Sequence, residues 1–281
     1  MKFPLNKNLS MEEIQAVSFE ILKTIKTICE KEGFKYSLAF GTLIGAIRHK
    51  GYIPWDDDVD IIMPRPDFEK LMVYFQEHAN ELQPYEAWNS SKHPDYPYTM
   101  TRIIDNRYIL DVDNEKPCGM GIFVDIYVLD GAGNSIEEAR NLLMKTKKYP
   151  SSIFLSTRKT LKHGGTKGIL KNILKPLFFV YVKLMGKQYF VNKLYRIISK
   201  YNYSSCSHLA CLEWDNTTAS ATAKIDIENP VEVEFNGERF CATANYDKYL
   251  THAYGDYMTP PPKKDRVYHH LYKAYKKEDC I

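Results

Sequence analysis

The stretch that most limits what this chain can fold into is SLAFGTLIGAIRHKGYIPWDDDVDIIM, residues 37–63, where four aspartates stand inside an otherwise apolar run. Asp56, Asp58 and Asp60 alternate with Asp57, Val59 and Ile61. The apolar flank Ile61, Ile62 and Met63 predicts extended backbone, in which every second side chain leaves by the same face. Asp56, Asp58 and Asp60 are therefore expected on one face, with Asp57 turned away. Aspartate suits strands poorly and neighbouring carboxylates repel, so such a face needs compensation. A divalent cation is the simplest form of it. The alternative is a cluster neutralised by Arg48, Lys50 and Arg65.

The residues around this stretch favour the cation. Tyr36 to Phe40 reads as a strand running into Gly41 and Thr42, and Leu43 to Ile47 as a short helix. The first N–H groups of a helix have no internal partner and carry partial positive charge, so a turn of this kind can hold phosphate oxygens. Farther on, IFVDIYVL at 122–129 reads as a buried strand with one charge, Asp125, at its centre. A carboxylate there needs either a buried partner or a metal. Asp58, Asp60 and Asp125 together suit magnesium, which takes few protein carboxylates and completes its octahedron with water and phosphate oxygens. Clustered aspartates beside an anion-binding turn point to phosphoryl or nucleotidyl transfer.

The rest of the chain supplies a frame. Ser10 and Glu13 form a capping box before Ile14, Val17, Ile21, Ile25 and Ile28 at helical spacing, and Gly33 closes the run. Asp67–Leu82 carries a core stripe on a helix, while Tyr98–Ile104 and Tyr108–Val112 flank Asp105-Asn106 as a hairpin. A second capping box, Ser135 with Glu138, starts a helix through about Lys148. Residues 166–200 are apolar, aromatic and basic, punctuated by Lys171, Lys175, Lys183 and Lys187, with Pro176 expected to kink or break the helix. That composition fits a helix lying on an anionic membrane surface and equally a core helix with solvated lysines. Val231, Val233 and Phe235 alternate up to Asn236-Gly237, a hairpin turn, and Tyr246, Leu250 and Tyr254 follow at helical spacing. The basic group Lys263, Lys264, Arg266, His269 and His270 reads as solvated charge. The expected class is α+β: a catalytic core at 1–134, a mainly helical, membrane-facing or acceptor-binding segment at 135–225, and a C-terminal hairpin and helix at 226–281 packing back on the core.

Composition excludes some classes. With 44% hydrophobic and 26% charged residues, the 281-residue chain has an ordinary globular make-up, and a net charge of +3 gives no case for nucleic-acid binding. The N-terminus lacks a secretory apolar region and no run is long enough to span a membrane, so a cytoplasmic protein is expected. Six scattered cysteines read as reduced. Cys206 and Cys211 with His208 lack a second ligand pair for zinc, so free thiols are the preferred reading.

The stretch GTLIGAIRHKGYIPWDDDVDIIMPR closely resembles the signature of the LicD family of phosphocholine transferases, whose wider relatives include the fukutin-related ribitol-phosphate transferases. The resemblance continues through GIFVDIYVLD at 121–130 and YDKYLTHAYGDYMTPPP at 246–262, and departs at Val128 and Ala244, where the family pattern has proline. It implies a nucleotidyltransferase-like core, a mixed sheet flanked by helices. Carried over, Gly41 and Thr42 bind phosphate, Asp58, Asp60 and Asp125 hold Mg2+ (or Mn2+), and Asp56 is a fourth member; no organic cofactor is implied. The implied reaction transfers phosphocholine from CDP-choline to a hydroxyl of a cell-surface glycan of teichoic acid, capsule or lipopolysaccharide type, with release of CMP. The acceptor is then a glycan or lipid-linked oligosaccharide, reached from the inner face of the membrane. Asp125 or Asp56 takes the hydroxyl proton, and Arg48, Lys50, Arg65 and Arg102 are candidates for the diphosphate. Choline would need aromatic faces, for which Trp55, Trp88 and Trp214 are candidates. Transfer of glycerol phosphate or ribitol phosphate, nucleotidyl transfer from a nucleoside triphosphate, and non-catalytic glycan binding are the competing readings.

Overall fold

A computed structural model of the chain describes residues 7–161, 169–214, 221–266 and 272–280. Helix α1 (Met11–Glu32) starts at the predicted capping box: Ser10 accepts the Glu13 N–H, and the Glu13 carboxylate accepts the Ser10 N–H at 2.7 Å. Gly33, at φ 72°, ends it in the left-handed region that glycine adopts without penalty. The stripe Ile14, Ile21, Leu22, Ile25 and Ile28 is buried against the sheet.

That sheet is mixed, with helices packed on it. Its strands are β1 (Ser37–Leu38), β2 (Asp60–Pro64), β3 (Tyr85–Trp88), β4 (Thr101–Asp105), β6 (Ile122–Gly131), β9 (Val231–Phe235) and β10 (Glu238–Ala242), in the order β3-β4-β6-β2-β1-β10-β9. β2 runs parallel to β6 and β1 parallel to β10; the other pairs along this path are antiparallel. Every residue of β6 is buried, as expected of a central strand covered on both faces. The far end of β6 also pairs with β7 (His208–Ala210), which pairs with β8 (Ala221–Ala223). The C-terminal hairpin forms as read, with Asn236 and Gly237 both at positive φ, and it continues the sheet through β10 beside β1.

One predicted pairing is overturned. β5 (Tyr108–Val112) does not fold back on β4; it pairs with β11 (Tyr272–Lys276) in a separate two-stranded sheet. The reason is that β4 has both edges taken, by β3 and β6. Asp105-Asn106 still turns the chain, with the Asp105 carboxylate accepting the Arg107 N–H at 3.0 Å, but the chain leaves toward the C-terminal segment.

The helices are α2 (Phe40–His49), α3 (Arg65–Glu77), α4 (Ile136–Thr146), α5 (Lys148–Thr157), α6 (Ile169–Ile198), α7 (Lys224–Glu228) and α8 (Tyr246–Tyr254). α6 contains Pro176, but its non-helical residue is Gly186, at φ 73° and ψ 163°, so the break comes ten residues later than the proline signal. α4, α5 and the second half of α6 share a core of their own around Leu142, Leu143, Ile153, Phe190 and Leu194. The first half of α6 instead exposes Leu174, Leu177, Phe178, Tyr181 and Leu184, the last at 81%. Among the described residues no helix is long and apolar enough to cross a membrane. Lys171 and Lys175 lie on this helix; the side chain of Lys171 falls outside what is described, as do His269 and His270. Cys206 and Cys211 are buried free thiols, and Cys206 Sγ accepts the Gly133 N–H.

Candidate functional site

Strand register assembles the site. Asp60 on β2 stands opposite Asp125 on β6, which stands opposite Arg102 on β4. Side chains at paired positions share a face, so the three form one row across three adjacent strands. Asp58 joins from the loop that enters β2, and the nearest carboxylate oxygens of Asp58, Asp60 and Asp125 all lie within 4.8 Å of one another. The strand begins only at Asp60, so the expected period-two face over Asp56–Asp60 is not how Asp58 arrives. Asp56, Asp57 and Asp58 form a second such group. Asp57 is buried, at 4% exposure, with its carbonyl accepting the Tyr272 hydroxyl at 3.3 Å; turned from the row, it faces β11 and not solvent.

The electrostatics of the row are out of balance. Arg102 holds Asp125 with both ends of its fork, Nε at 2.6 Å and Nη2 at 3.3 Å, and its guanidinium lies between the rings of Tyr98 and Phe123. Among the described residues, Arg102 is the guanidinium that bonds the row, through Asp125. Burial, then the charges of Asp58, Asp125 and Asp56, push the Asp60 carboxyl well above its usual range, with Arg102 opposing. Asp60 Oδ1 is buried without a hydrogen-bond partner among the described residues. A buried carboxylate oxygen in that state is costly unless something else satisfies it. An oxygen-seeking divalent cation fits this donor set: three clustered carboxylates, one of which carries a buried oxygen with no partner among the described residues.

The turn before α2 is tied to the same row. Thr42 Oγ1 accepts the Asp60 N–H at 2.8 Å, and the Asp60 carbonyl accepts the Ala39 N–H at 3.0 Å. Phe40 takes a φ of 46°, unusual for a bulky residue, and is packed edge-on against Tyr127 with centroids 5.0 Å apart. A Cβ at position 41 would come within 2.5 Å of Asp56 Oδ2, so any larger residue there would displace the Asp56 carboxylate. Asp56 therefore sits against the first turn of α2, where the helix's positive end favours an anion.

A cavity of about 570 Å³ opens over these groups, lined by Gly41, Arg48, Asp56, Asp58 and Asp60 and walled by Trp55, Tyr127, Trp214, Tyr254 and Tyr257. Arg48 donates to the Tyr257 carbonyl at 2.5 Å. Arg266 donates to the Pro261 carbonyl at 2.8 Å, with its guanidinium 5.0 Å from the Trp55 ring centre. Burial and the charge of Arg266 lower the pKa of Arg48, and burial, Arg48 and Arg266 lower that of His49. Arg48 thus lines the cavity with the aspartates, and Arg266 lies close enough to act on its charge.

The other predicted cations lie elsewhere. Arg65 is braced by Asp130 (2.7 and 2.9 Å) and Glu213 (2.8 Å), Arg102 by Asp125, and Lys50 ends α2 as an exposed residue at φ 59°. Trp55 and Trp214 line the cavity, but Trp88 stacks on His93 at 3.8 Å, away from it. Arg266, Tyr254 and Tyr257 were missed. Tyr254 and Tyr257 fall in the YDKYLTHAYGDYMTPPP stretch, which carried a signal; Arg266 belongs to a basic group that looks like any solvated terminus.

The family described as LicD/FKTN/FKRP, nucleotidyltransferase domain, matches residues 33–160. The chain is 32% identical over 277 residues to the lipopolysaccharide cholinephosphotransferase LicD of Haemophilus influenzae, covering 96% of this chain and 99% of that protein. Uncharacterized proteins of Rickettsia typhi and Rickettsia prowazekii are 35% and 31% identical over 75 and 77 residues, 25% and 26% of this chain and 24% and 29% of theirs.

Proposed function

The chain belongs to the LicD family, and from that membership and the carboxylate row we propose a metal-dependent phosphotransferase that moves phosphocholine from CDP-choline onto a glycan hydroxyl, releasing CMP. The observation that carries the reading is the row itself: Asp58, Asp60 and Asp125 within 4.8 Å, and a buried Asp60 oxygen without a hydrogen-bond partner among the described residues. Asp58, Asp60 and Asp125 would hold Mg2+ or Mn2+, which would neutralise the donor's diphosphate.

The chain's own residues do the rest. Arg102 fixes the orientation of Asp125 and offsets one charge of the row. Arg48, which lines the cavity, and Arg266 beside it would supply positive charge to the diphosphate of the donor. The amide end of α2 at Gly41 and Thr42 adds partial positive charge, and Thr42 fixes the start of β2. The aromatic wall decides between donors. A quaternary ammonium is held by ring faces, whereas ribitol or glycerol would need hydrogen-bonding partners for its hydroxyls. Trp55, Tyr127, Trp214, Tyr254 and Tyr257 around one cavity therefore favour choline.

The lipopolysaccharide named for the Haemophilus relative makes a membrane-anchored glycan the natural acceptor class. Leu174, Leu177, Phe178, Tyr181 and Leu184 recur at helical spacing on the exposed side of α6, and we assign that stripe to peripheral contact with an anionic membrane. The functional assignment is tested by incubating the protein with magnesium, lipopolysaccharide and a panel of CDP-alcohols while following CMP. CDP-choline is expected to be turned over fastest. Pyrophosphate release from a nucleoside triphosphate, with no CMP from any CDP-alcohol, would replace the reading with nucleotidyl transfer.

A further inference from the structure

A second cavity, of about 410 Å³, adjoins the Asp125–Arg102 end of the row. Asp125 and Arg102 line it, whereas Asp56, Asp58 and Asp60 line the first. The two cavities share Tyr127 and Trp214, whose rings meet edge to face at 5.7 Å. Since the oxygens of Asp58, Asp60 and Asp125 lie within 4.8 Å of one another, both cavities end on the same few atoms.

Their chemistry differs. At the first, Arg48 donates to the Tyr257 carbonyl and to His49 Nδ1, and the neighbouring Arg266 to the Pro261 carbonyl, all neutral partners that leave the charge of both open to an anion. In the second, Arg102 is paired with Asp125 and Arg158 with Glu115, and Glu115 also accepts the Tyr98 hydroxyl at 2.5 Å. Both guanidinium charges are cancelled at source, so among the described residues this cavity presents no uncompensated guanidinium to a diphosphate. What it presents is aromatic surface from Tyr98, Tyr272 and Trp214, with the polar residues Asp113 and Asn114 at its edge, the Asn114 amide bonded to Thr160. Apolar walls with a few placed polar groups suit a neutral sugar ring, which has apolar faces and a hydroxyl rim.

We propose that this second cavity is the acceptor site and seats the terminal sugar of the glycan, so that donor and acceptor meet at the carboxylate row from the two cavities. The proposal rests on the phosphotransfer reading above. In-line displacement needs the attacking and leaving oxygens on opposite sides of the phosphorus, a requirement that two cavities meeting at one row satisfy. The sugar hydroxyl oxygen bonds to the choline-bearing phosphorus as the bond from that phosphorus to the bridging oxygen breaks. CMP departs with the bridging oxygen and its electron pair. The hydroxyl proton is released to water, since Asp125, the member of the row that lines the acceptor cavity, is committed to Arg102. The cavity's place in the molecule suits a membrane-borne glycan, because α5 contributes Phe154 and Arg158 to it and packs on α6.

The test uses bulky substitutions at the two rims. Asp113 and Thr259 are both exposed, the first on the acceptor cavity and the second on the donor cavity. Asp113→Trp is expected to raise KM for lipopolysaccharide by about tenfold or more while leaving the Kd for CDP-choline, measured by calorimetry with magnesium, within about twofold. Thr259→Trp is expected to weaken CDP-choline binding by a similar factor and to move the acceptor KM little. Asp113→Arg repeats the first arm should the tryptophan variant not fold, as judged by thermal unfolding. Acceptor KM at the wild-type level in folded Asp113→Trp and Asp113→Arg overturns the assignment, as does weakened donor binding in either. Wild-type protein that releases no CMP from any CDP-alcohol overturns the functional reading, and the acceptor site with it; normal wild-type turnover with silent rim variants overturns the acceptor site alone.

Discussion

The carboxylate row and the first half of α6 are opposite kinds of region. In the row, charges are buried among apolar strands, each with a neighbour dictated by register: Asp60 beside Asp125, Asp125 beside Arg102. On α6, apolar side chains face outward, with Leu177 at 63% and Leu184 at 81% exposure. Each breaks the ordinary rule of polar outside and apolar inside. The lesson is that both exceptions are costly unless something beyond the chain satisfies them, a cation and phosphates in one case and a lipid surface in the other.

The comparison can be broken at several points. Chelation of divalent ions, or Asp58→Asn, is expected to lower CMP release from CDP-choline by about 10²–10³-fold, with added magnesium restoring only the chelated protein. A chelator-resistant rate would remove the cation from the account. Next in size is Arg102→Met, which leaves Asp125 buried without its partner. The expected cost is about 3–5 kcal/mol of stability in denaturant titrations, together with about 10–100-fold weaker metal binding. Full stability would mean that Asp125 is not held as described.

Smaller effects separate the walls of the donor cavity. Arg48→Ala and Arg266→Ala are each expected to raise KM for CDP-choline by about tenfold, more than Arg65→Ala does at equal folded fraction, since Arg65 is bonded to Asp130 and Glu213. An equal KM effect from Arg65 would return it to the diphosphate. Smallest in vitro is Leu184→Glu, expected to change stability by no more than about 0.5 kcal/mol and yet to abolish co-flotation with anionic vesicles. Unfolding of that variant would place the stripe in a core.

What was legible in the sequence followed from how unusual each residue was in its setting. Asp58, Asp60 and Asp125 stood out because carboxylates do not belong in apolar strands, and their motif carried a family resemblance. Register was not legible: nothing local says that Arg102 will stand beside Asp125, and it was read as a ligand for phosphate. The β4–β5 hairpin failed for the same reason, since a turn signal at Asp105-Asn106 fixes the direction of the chain but not which strand has a free edge. Arg266 was hidden because its value comes from the path that returns residues 254–266 over Trp55, a tertiary fact. Phe40's left-handed backbone was equally silent, since its packing on Tyr127 joins residues far apart in the chain.

The most direct measurement is CMP release from CDP-choline, with magnesium and lipopolysaccharide, by wild-type protein and Asp60→Asn side by side. Asp60 carries the orphaned oxygen, so its loss removes the feature on which the site rests. The account predicts a folded variant whose rate falls on the order of 10³-fold. A folded Asp60→Asn protein that releases CMP at the wild-type rate would contradict it.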